Sequence, residues 1–122
     1  MIQNNPIDKV KVKKNYYKSD ALWIETPYVN GKMHGIEKWY YESGTLMAEA
    51  PYVDGKRHGI EKWYYTSGAL QIETPYVRGK MHGIGKCYEE DKSNIDFLVL
   101  YDKGREVASV KFSKKEIAHD TE

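Results

Sequence analysis

Residues 35–58 read GIEKWYYESGTLMAEAPYVDGKRH, and residues 59–82 read GIEKWYYTSGALQIETPYVRGKMH. The two stretches have the same length and are identical at most positions. Self-similarity at a short fixed period indicates a structural repeat that stacks on its neighbours. The doubled stretch therefore predicts a repeat protein.

The repeat continues in weaker form on both sides of the doubled stretch. Residues 16–27 (YYKSDALWIETP) align without a gap with residues 64–75 (YYTSGALQIETP), and the frame resumes after residue 82. We predict one domain over residues 1–122, because worn terminal repeats cap an array rather than form new domains. Its parts are a degenerate repeat 11–34, repeats 35–58 and 59–82, a degenerate repeat or cap 83–112, and a tail 113–122.

Two turn signals in each unit predict β-hairpins. Ser43-Gly44 marks one end of a unit, and Asp54-Gly55, like Asn30-Gly31 before it, marks the other. Asn-Gly and Asp-Gly are strong signals for two-residue turns. Tyr, Trp, Ile and Val fill the runs between the turns, and apolar positions do not recur every 3.6 residues. We predict an all-β fold, a single-layer antiparallel meander of about eight or nine strands.

The strand register follows from the loop lengths. Two-residue loops at both turns set Lys38 opposite Glu49, whereas a three-residue loop at the first turn would set Glu37 against Glu49. Opposite charges stabilise a cross-strand pair, so we predict the first register and an ion pair. One face then carries Trp39, Tyr41, Leu46, Ala48, Ala50 and Tyr52.

The prolines and the C-terminal tail give further expectations. Pro27, Pro51 and Pro75 lie inside the second strand of their units, where each lacks an N–H for the sheet. We expect a bend there, with pairing to the previous strand before each proline and to the next strand after it, and hence a curved sheet. Residues 113–116 (SKKE) fit a capping box, which leaves a short C-terminal helix and a disordered tail as open alternatives.

Charge and cysteine content argue against several classes of protein. The formal net charge is +1, so no overall basic field would attract a nucleic-acid backbone. The single cysteine, Cys87, cannot form an internal disulfide, and the first residues do not resemble a signal peptide. No apolar run approaches the roughly 20 residues of a membrane-spanning helix. We expect a cytoplasmic protein with no nucleic-acid partner.

No group of residues predicts catalysis, a metal site or a cofactor. His34, His58 and His82 recur at the repeat period. Equivalent residues would lie about 10 Å apart, whereas the ligands of one zinc ion all lie about 2 Å from it. We expect hairpin histidines beside a close-packed glycine, and we interpret Cys87 as a small buried thiol rather than a nucleophile. The sequence predicts a protein that is not an enzyme.

Residues 52–70 follow the pattern Tyr-x-x-Gly-Lys-x-x-Gly-x-x-Lys-x-Tyr-x-x-Ser-Gly-x-Leu. This pattern resembles the MORN-repeat variant of bacterial proteins grouped as the YwqK-type antitoxin family, over about residues 11–90. It departs from the better-known MORN repeat in having Asn, Asp or Arg before the first glycine. The resemblance implies an array of β-hairpins with a binding role. Some members of the group look like partners that neutralise a toxin, and the wider class is associated with scaffolding and phospholipid binding.

The remaining positive signal is an aromatic strip, since the chain holds eleven Tyr and three Trp. Contiguous exposed apolar surface usually marks an interaction site, and Tyr, Trp and Arg dominate binding hot spots. Packing in the concavity of a curved sheet is the alternative, and the two roles are compatible. The residues that we predict to bind a partner are Tyr17, Trp39, Tyr41, Tyr52, Trp63, Tyr65, Tyr76, Arg57 and Arg78.

We expect the partner to be another protein, such as a toxin, an effector or a nuclease. The chain would cover its functional surface, as an antitoxin or immunity protein does. The alternative is a scaffold that binds acidic phospholipid at a membrane through Lys9, Lys11, Lys13, Lys14 and the repeat lysines. The sequence leaves the oligomeric state open.

Overall fold

The computed structural model describes residues 9–91 and 94–112, and all strands in these ranges form one antiparallel sheet. The strands are β1 (Val10–Tyr16), β2 (Leu22–Val29), β3 (Lys32–Met33), β4 (Gly35–Tyr40), β5 (Leu46–Val53), β6 (Lys56–Arg57), β7 (Gly59–Tyr64), β8 (Leu70–Val77), β9 (Lys80–Met81), β10 (Gly83–Tyr88), β11 (Ile95–Asp102) and β12 (Arg105–Lys111).

The strands follow one another across the sheet as a meander. The order is β1-β2-β4-β5-β7-β8-β10-β11-β12, while the two-residue strands β3, β6 and β9 pair with β2, β5 and β8. The predicted all-β array of hairpins is confirmed, and the three short strands raise the count above the expected eight or nine. Residues 113–122, the tail that could form a short helix or be disordered, lie outside the described residues.

Type I′ turns close one end of each hairpin, as predicted. Asn30, Asp54, Arg78 and Lys103 have φ of 52°, 49°, 50° and 48°, and each precedes a glycine that also has positive φ. Two successive positive φ values define this turn, whose twist matches that of the strands. The turn holds even where Arg78 or Lys103 replaces the favoured Asn or Asp.

The turn at the opposite end of each hairpin differs from the prediction. The N–H of Gly44 donates to Tyr41 O at 2.9 Å, and the N–H of Tyr41 donates to Thr45 O at 2.8 Å, which closes a three-residue loop. A β-bulge then shifts the register between Trp39 and Tyr40. The bulge adds one residue to β5, so Lys38 still lies opposite Glu49.

The bulge also changes which face one apolar residue occupies. Leu46 lies directly opposite Tyr40, so it shares that residue's face and not the face of Trp39. Two predictions are therefore wrong: that Leu46 shares the face of Trp39, and that the loop has two residues. The predicted register of Lys38 with Glu49 is confirmed. Sequence spacing alone cannot reveal a bulge that cancels an extra loop residue.

The predicted pairing with the next strand after each proline is found, since Tyr52 and Val53 pair with β6, but the predicted end of pairing with the previous strand is wrong. β5 pairs with the preceding strand on both sides of Pro51 and with the next long strand, β7, only at Ala48 and Glu49. Pro51 O accepts the His58 N–H at 3.0 Å. In an extended residue the C=O and N–H point to the same edge, so the missing N–H faces the junction between β6 and β7. The proline therefore interrupts no long ladder there.

The small core lies on one side of the sheet. The alternation of side chains places Trp39 and Trp63 on one face, which we call the tryptophan face, and Ile36 and Ile60 on the other, the isoleucine face. The most buried side chains all lie on the tryptophan face. They are Thr26, Glu37, Ala48, Ala50, Glu61 and Val99.

Candidate functional site

Two tryptophans form the centre of the tryptophan face. Trp39 in β4 and Trp63 in β7 both lie opposite Ala48 of the intervening strand β5. The small side chain of Ala48, which is 5% exposed, allows the two rings to meet above it. Their centroids are 5.6 Å apart and their planes stand at 84°. Such an edge-to-face pair contributes about 0.5–1.5 kcal/mol beyond the burial of its area.

Two nearly buried carboxylates lie beside the tryptophans. Glu37 and Glu61 are 9% and 8% exposed. Thr26 Oγ1 donates to Glu37 Oε2 at 2.8 Å, and Trp63 Nε1 donates to Glu61 Oε1 at 3.1 Å. Buried carboxylates require such donors because they have lost their hydration. The predicted site omitted both residues, although each stands two positions before a tryptophan and so had to share its face.

Arg57 lies between two tyrosine rings on the same face. Its Nε is 3.0 Å from Glu61 Oε2, and its guanidinium carbon is 5.9 Å from the Tyr52 centroid and 5.3 Å from the Tyr76 centroid. Burial is the largest influence on the guanidinium and opposes its charge, but the Glu61 carboxylate together with Tyr52 and Tyr76 outweighs burial and raises the pKa of Arg57. Burial has the opposite effect on a neutral phenol and raises the pKa of Tyr52 and Tyr76. The cation and both hydroxyls therefore keep their protons at neutral pH.

These side chains surround a shallow depression at the middle of the sheet. The depression is lined by Glu37, Trp39, Ala48, Glu49, Ala50, Arg57, Glu61 and Trp63. The structure thus brings together five of the residues predicted from the sequence, with Tyr52 and Tyr76 beside Arg57. Whether they bind a partner stays a prediction.

Three other predicted residues connect successive repeats. The hydroxyls of Tyr17, Tyr41 and Tyr65 donate to backbone carbonyls in the following repeat, at 2.5, 2.6 and 2.7 Å. The accepting carbonyls belong to Tyr40, Tyr64 and Tyr88. These hydroxyls therefore have a structural role.

Arg78 lies away from the depression, at the tip of a hairpin. Its N–H donates to His58 Nδ1 at 3.1 Å, and the N–H of Lys103 donates to His82 Nδ1 at 3.1 Å. His34 accepts in the same way from Asp54 N–H at 3.3 Å. Each histidine thus joins its own repeat to the turn of the next one.

The glycine that follows each of these histidines is packed against a proline. A Cβ on Gly59, which has a φ of +121°, would lie 2.8 Å from Pro51 Cγ, and one on Gly35 would lie 3.2 Å from Pro27 Cγ. The prediction of hairpin histidines beside close-packed glycines is confirmed. Among the described residues, no group of three or more His, Cys, Asp or Glu could hold a metal ion.

A row of charges crosses the isoleucine face. Lysine and glutamate alternate from strand to strand through Lys14, Glu25, Lys38, Glu49, Lys62, Glu73 and Lys86. Within the described ranges no lysine nitrogen of this row lies within 4.0 Å of a carboxylate oxygen, so the predicted ion pairs do not form. Tyr64 instead donates to Glu49 Oε1 at 2.8 Å, and Tyr88 donates to Glu73.

The two tyrosines that donate to this row, Tyr64 and Tyr88, have strongly raised pKa values. Burial first, and then the hydrogen bond to a carboxylate, raise the pKa of Tyr64 and of Tyr88 to about 12. The reason is that both surroundings favour the neutral phenol over a second negative charge. The partner of Glu49 and of Glu73 is thus a tyrosine hydroxyl, from the residue two positions beyond the lysine opposite, rather than that lysine itself.

An exposed apolar row runs parallel to these charges and was missed by the sequence prediction. Ile36, Ile60 and Ile84 are 49%, 49% and 54% exposed, and Leu100 is 43% exposed. The strand register continues the row between them through Val12, Pro27, Pro51 and Pro75. The Gly-Ile dipeptide that opens each unit was the available signal, because it repeats at the same period as the tryptophan.

Cys87 is a partly buried free thiol. Burial raises the pKa of the Cys87 thiol, which disfavours the thiolate that a nucleophile needs. The ranges 9–91 and 94–112 contain no helix of the length and hydropathy required to cross a bilayer.

Comparison with known proteins agrees with the repeat architecture. The model of the MORN repeat variant matches residues 33–54 and 57–78. No curated protein matches the chain. Each matched segment begins at or next to a short strand, β3 or β6, and ends at the next type I′ turn. The central hairpins of this chain are therefore similar to the MORN repeat variant.

Proposed function

We propose that this chain is a non-enzymatic protein-binding module that masks or neutralises a partner protein, as an antitoxin or immunity protein does. The observation that carries the proposal is the cluster of Trp39, Trp63 and Arg57 at the middle of the tryptophan face. MORN repeats of this variant are consistent with a binding module. Trp, Tyr and Arg are the side chains most enriched at binding hot spots, which cluster near the centre of an interface.

The cluster is held in place before any partner arrives. The Trp63 indole is fixed by its hydrogen bond to Glu61, and the Arg57 guanidinium by the same carboxylate and two tyrosine rings. A side chain that is already ordered loses little rotamer entropy on binding. This preorganisation supports a recognition surface, since a purely space-filling group would not need it.

The chemistry of the depression favours one kind of partner side chain. Aromatic rings form its walls, and the Glu37 carboxylate has Thr26 as its hydrogen-bond donor. Within the described residues no Lys or Arg nitrogen lies within 4.0 Å of Glu37. A partner group with an apolar body and a donor or cation at its end would contact both the rings and this carboxylate.

Co-expression with the product of the adjacent gene tests the proposal. A complex that survives gel filtration is expected, and it should be lost when Trp39 and Trp63 are both replaced by alanine. Trp23→Ala is the matched control, because Trp23 is 41% exposed and packs on Tyr17 outside the cluster. Absence of a complex with wild-type chain would refute the antitoxin version, and equal loss in the control would refute the assignment to the cluster.

The lipid-binding alternative is supported by β1. Lys11, Lys13 and Lys14 are all exposed on this edge strand, beside Lys9. Sedimentation with vesicles of acidic phospholipid tests it, because binding through lysines weakens as salt screens the charges. Binding that disappears between low and high salt would support this function, and no binding at any salt would end it.

A further inference from the structure

The isoleucine face lacks the cover that the other face has. On the tryptophan face, long side chains lie over small ones and bury them, whereas Ile36, Ile60 and Ile84 remain about half exposed. Apolar side chains repeated along one surface indicate an interaction site. We propose that a second copy of this chain covers the isoleucine face, so that the two isoleucine faces meet. The two copies are related by a two-fold axis that lies between the two sheets, parallel to the strands and above the boundary between β5 and β7.

The alternating charges fit a copy of themselves under this rotation. The axis reverses the strand order and keeps the position along each strand, so β5 of one copy lies over β7 of the other. Lys62 then faces Glu49 of the second copy, and Lys38 faces Glu73 of the second copy. An axis through a strand instead of between two strands would set like charges against each other. Complementary charge selects the register of an interface and suppresses competing ones.

The apolar row is matched by the same rotation. Ile60 faces Pro51 of the second copy, and Ile36 faces Pro75 of the second copy. Each branched side chain thus meets a flat ring and not another branched side chain. Two independent rows become complementary through one symmetry operation, which is the property that an isologous interface requires.

The area is sufficient for a stable dimer. Eight strands overlap, from β1 to β11, and at about 4.8 Å per strand they span roughly 38 Å. Three rows lie on this face, namely the apolar row, the row of charges and a row that contains Tyr40, Tyr64 and Tyr88. They extend about 20 Å along the strands at about 3.3 Å per residue. The product is on the order of 800 Å² per copy, which is the size of a standard specific interface.

The dimer leaves both tryptophan faces outward. It would therefore present two partner-binding clusters on opposite sides, and this inference does not depend on the identity of that partner. A dimer of this kind also removes the isoleucine row from water in the absence of any other protein.

Sedimentation equilibrium of the full chain tests the proposal. We expect about 28 kDa, twice the chain mass of 14.2 kDa, in the micromolar range. Ile60→Asp places a charge beside the axis and should raise the dissociation constant at least tenfold, to give a monomer of 14.2 kDa. Val107→Asp is the matched control, because Val107 is 53% exposed on β12, outside the overlap, and this variant should stay dimeric.

A charge swap separates loss of the interface from loss of folding. Lys62→Glu sets two glutamates against Glu49 residues across the axis and should weaken the dimer at least tenfold. Adding Glu49→Lys restores opposite charges and should recover the dimer. Circular dichroism checks that each variant is folded.

The remaining outcomes decide against the proposal. Wild-type chain that is monomeric at every concentration overturns it, and so does a dimer that survives Ile60→Asp. If the isoleucine variants abolish binding to acidic vesicles or to the partner protein while the wild-type chain is a monomer, the face has a different occupant and the proposal is wrong.

Discussion

The two faces of this sheet are built from the same strands but satisfy their side chains differently. The tryptophan face buries polar groups against partners within the chain, as Glu61 shows by accepting a hydrogen bond from Trp63 and forming an ion pair with Arg57. The isoleucine face leaves apolar groups half exposed and carries a row of alternating charges. A single-layer sheet can therefore close one side with its own side chains while the other side remains to be covered from outside.

The difference has a simple geometric cause. Trp39, Trp63 and Arg57 are long enough to lie across the small residues Ala48 and Ala50 on the intervening strand. Isoleucine and proline on the opposite face are short and stand nearly upright, so they cannot cover one another. Neighbouring residues in the same strand consequently have very different surroundings.

Replacing adjacent residues on opposite faces should give the largest contrast. Glu61→Ala leaves the Trp63 indole without its hydrogen-bond acceptor and the Arg57 guanidinium without its ion-pair partner, and it should cost about 3 kcal/mol of unfolding free energy. Ile60→Ala removes half-exposed apolar surface and should cost about 1 kcal/mol in the isolated chain. Urea denaturation at low protein concentration measures both. Equal losses would contradict the difference between the faces.

A comparison of two glycines tests the tightest of the three glycine–proline contacts, that of Gly59 with Pro51. Gly59→Ala would force a Cβ to within 2.8 Å of Pro51 Cγ at a φ of +121°, and it should cost about 2 kcal/mol or more. Gly55→Ala, with a φ of +86° and no atom within 4 Å of its Cβ, should cost about 1 kcal/mol. Thermal unfolding of both variants gives the comparison. A larger loss for Gly55→Ala would show that the proline contact is unimportant.

Substitutions at the hairpin tips should lower the free energy of unfolding by less than the substitutions above, because the tips belong to neither face. His58→Ala removes the acceptor for the Arg78 N–H, which turns to water, so we expect a loss of about 1 kcal/mol. Hydrogen exchange of that amide should accelerate, while the amides of β7 keep their protection. Unchanged exchange at Arg78 would mean that the bond does not hold the tip.

The smallest effect at neutral pH concerns Tyr64. Its folded pKa of about 12 lies above the value of about 10 in an unfolded chain, so the native state holds a proton that the unfolded state loses. The resulting stability is complete below pH 10 and is lost as the pH rises toward 12. Tyr64→Phe should show a shallower decline over this range in urea titrations. The same slope as in the wild-type chain would refute the raised pKa of Tyr64 in the folded state.

Much of the fold could be predicted because the repeat period constrains it. The type I′ turns at Asp54-Gly55 and Asn30-Gly31 and the register of Lys38 with Glu49 follow from local signals. The three-residue loop ending at Gly44 could not be predicted, because the bulge that follows it cancels its effect on the register. The prediction missed both the third loop residue and the bulge, and these two errors cancel, so Lys38 was still placed correctly opposite Glu49.

The candidate site could be predicted only in part. Trp39, Trp63 and Arg57 were identifiable by residue type, but the buried Glu37 and Glu61 were not, because a glutamate in a strand reads as solvent-exposed. The hydroxyl bonds from Tyr41 and its equivalents depend on the separation of neighbouring hairpins, which sequence spacing does not give. The exposure of Ile60 likewise depends on the shortness of the side chains around it.

Hydroxyl-radical footprinting of the chain alone and in complex with the proposed partner protein shows which face of the sheet the partner covers. We propose that the partner covers the tryptophan face. We predict that oxidation of Trp39 and Trp63 falls at least severalfold in the complex, while that of Trp23 and of Ile60 stays as it is in the free chain. Protection of Ile60 on partner binding, with Trp39 and Trp63 unchanged, would contradict the account.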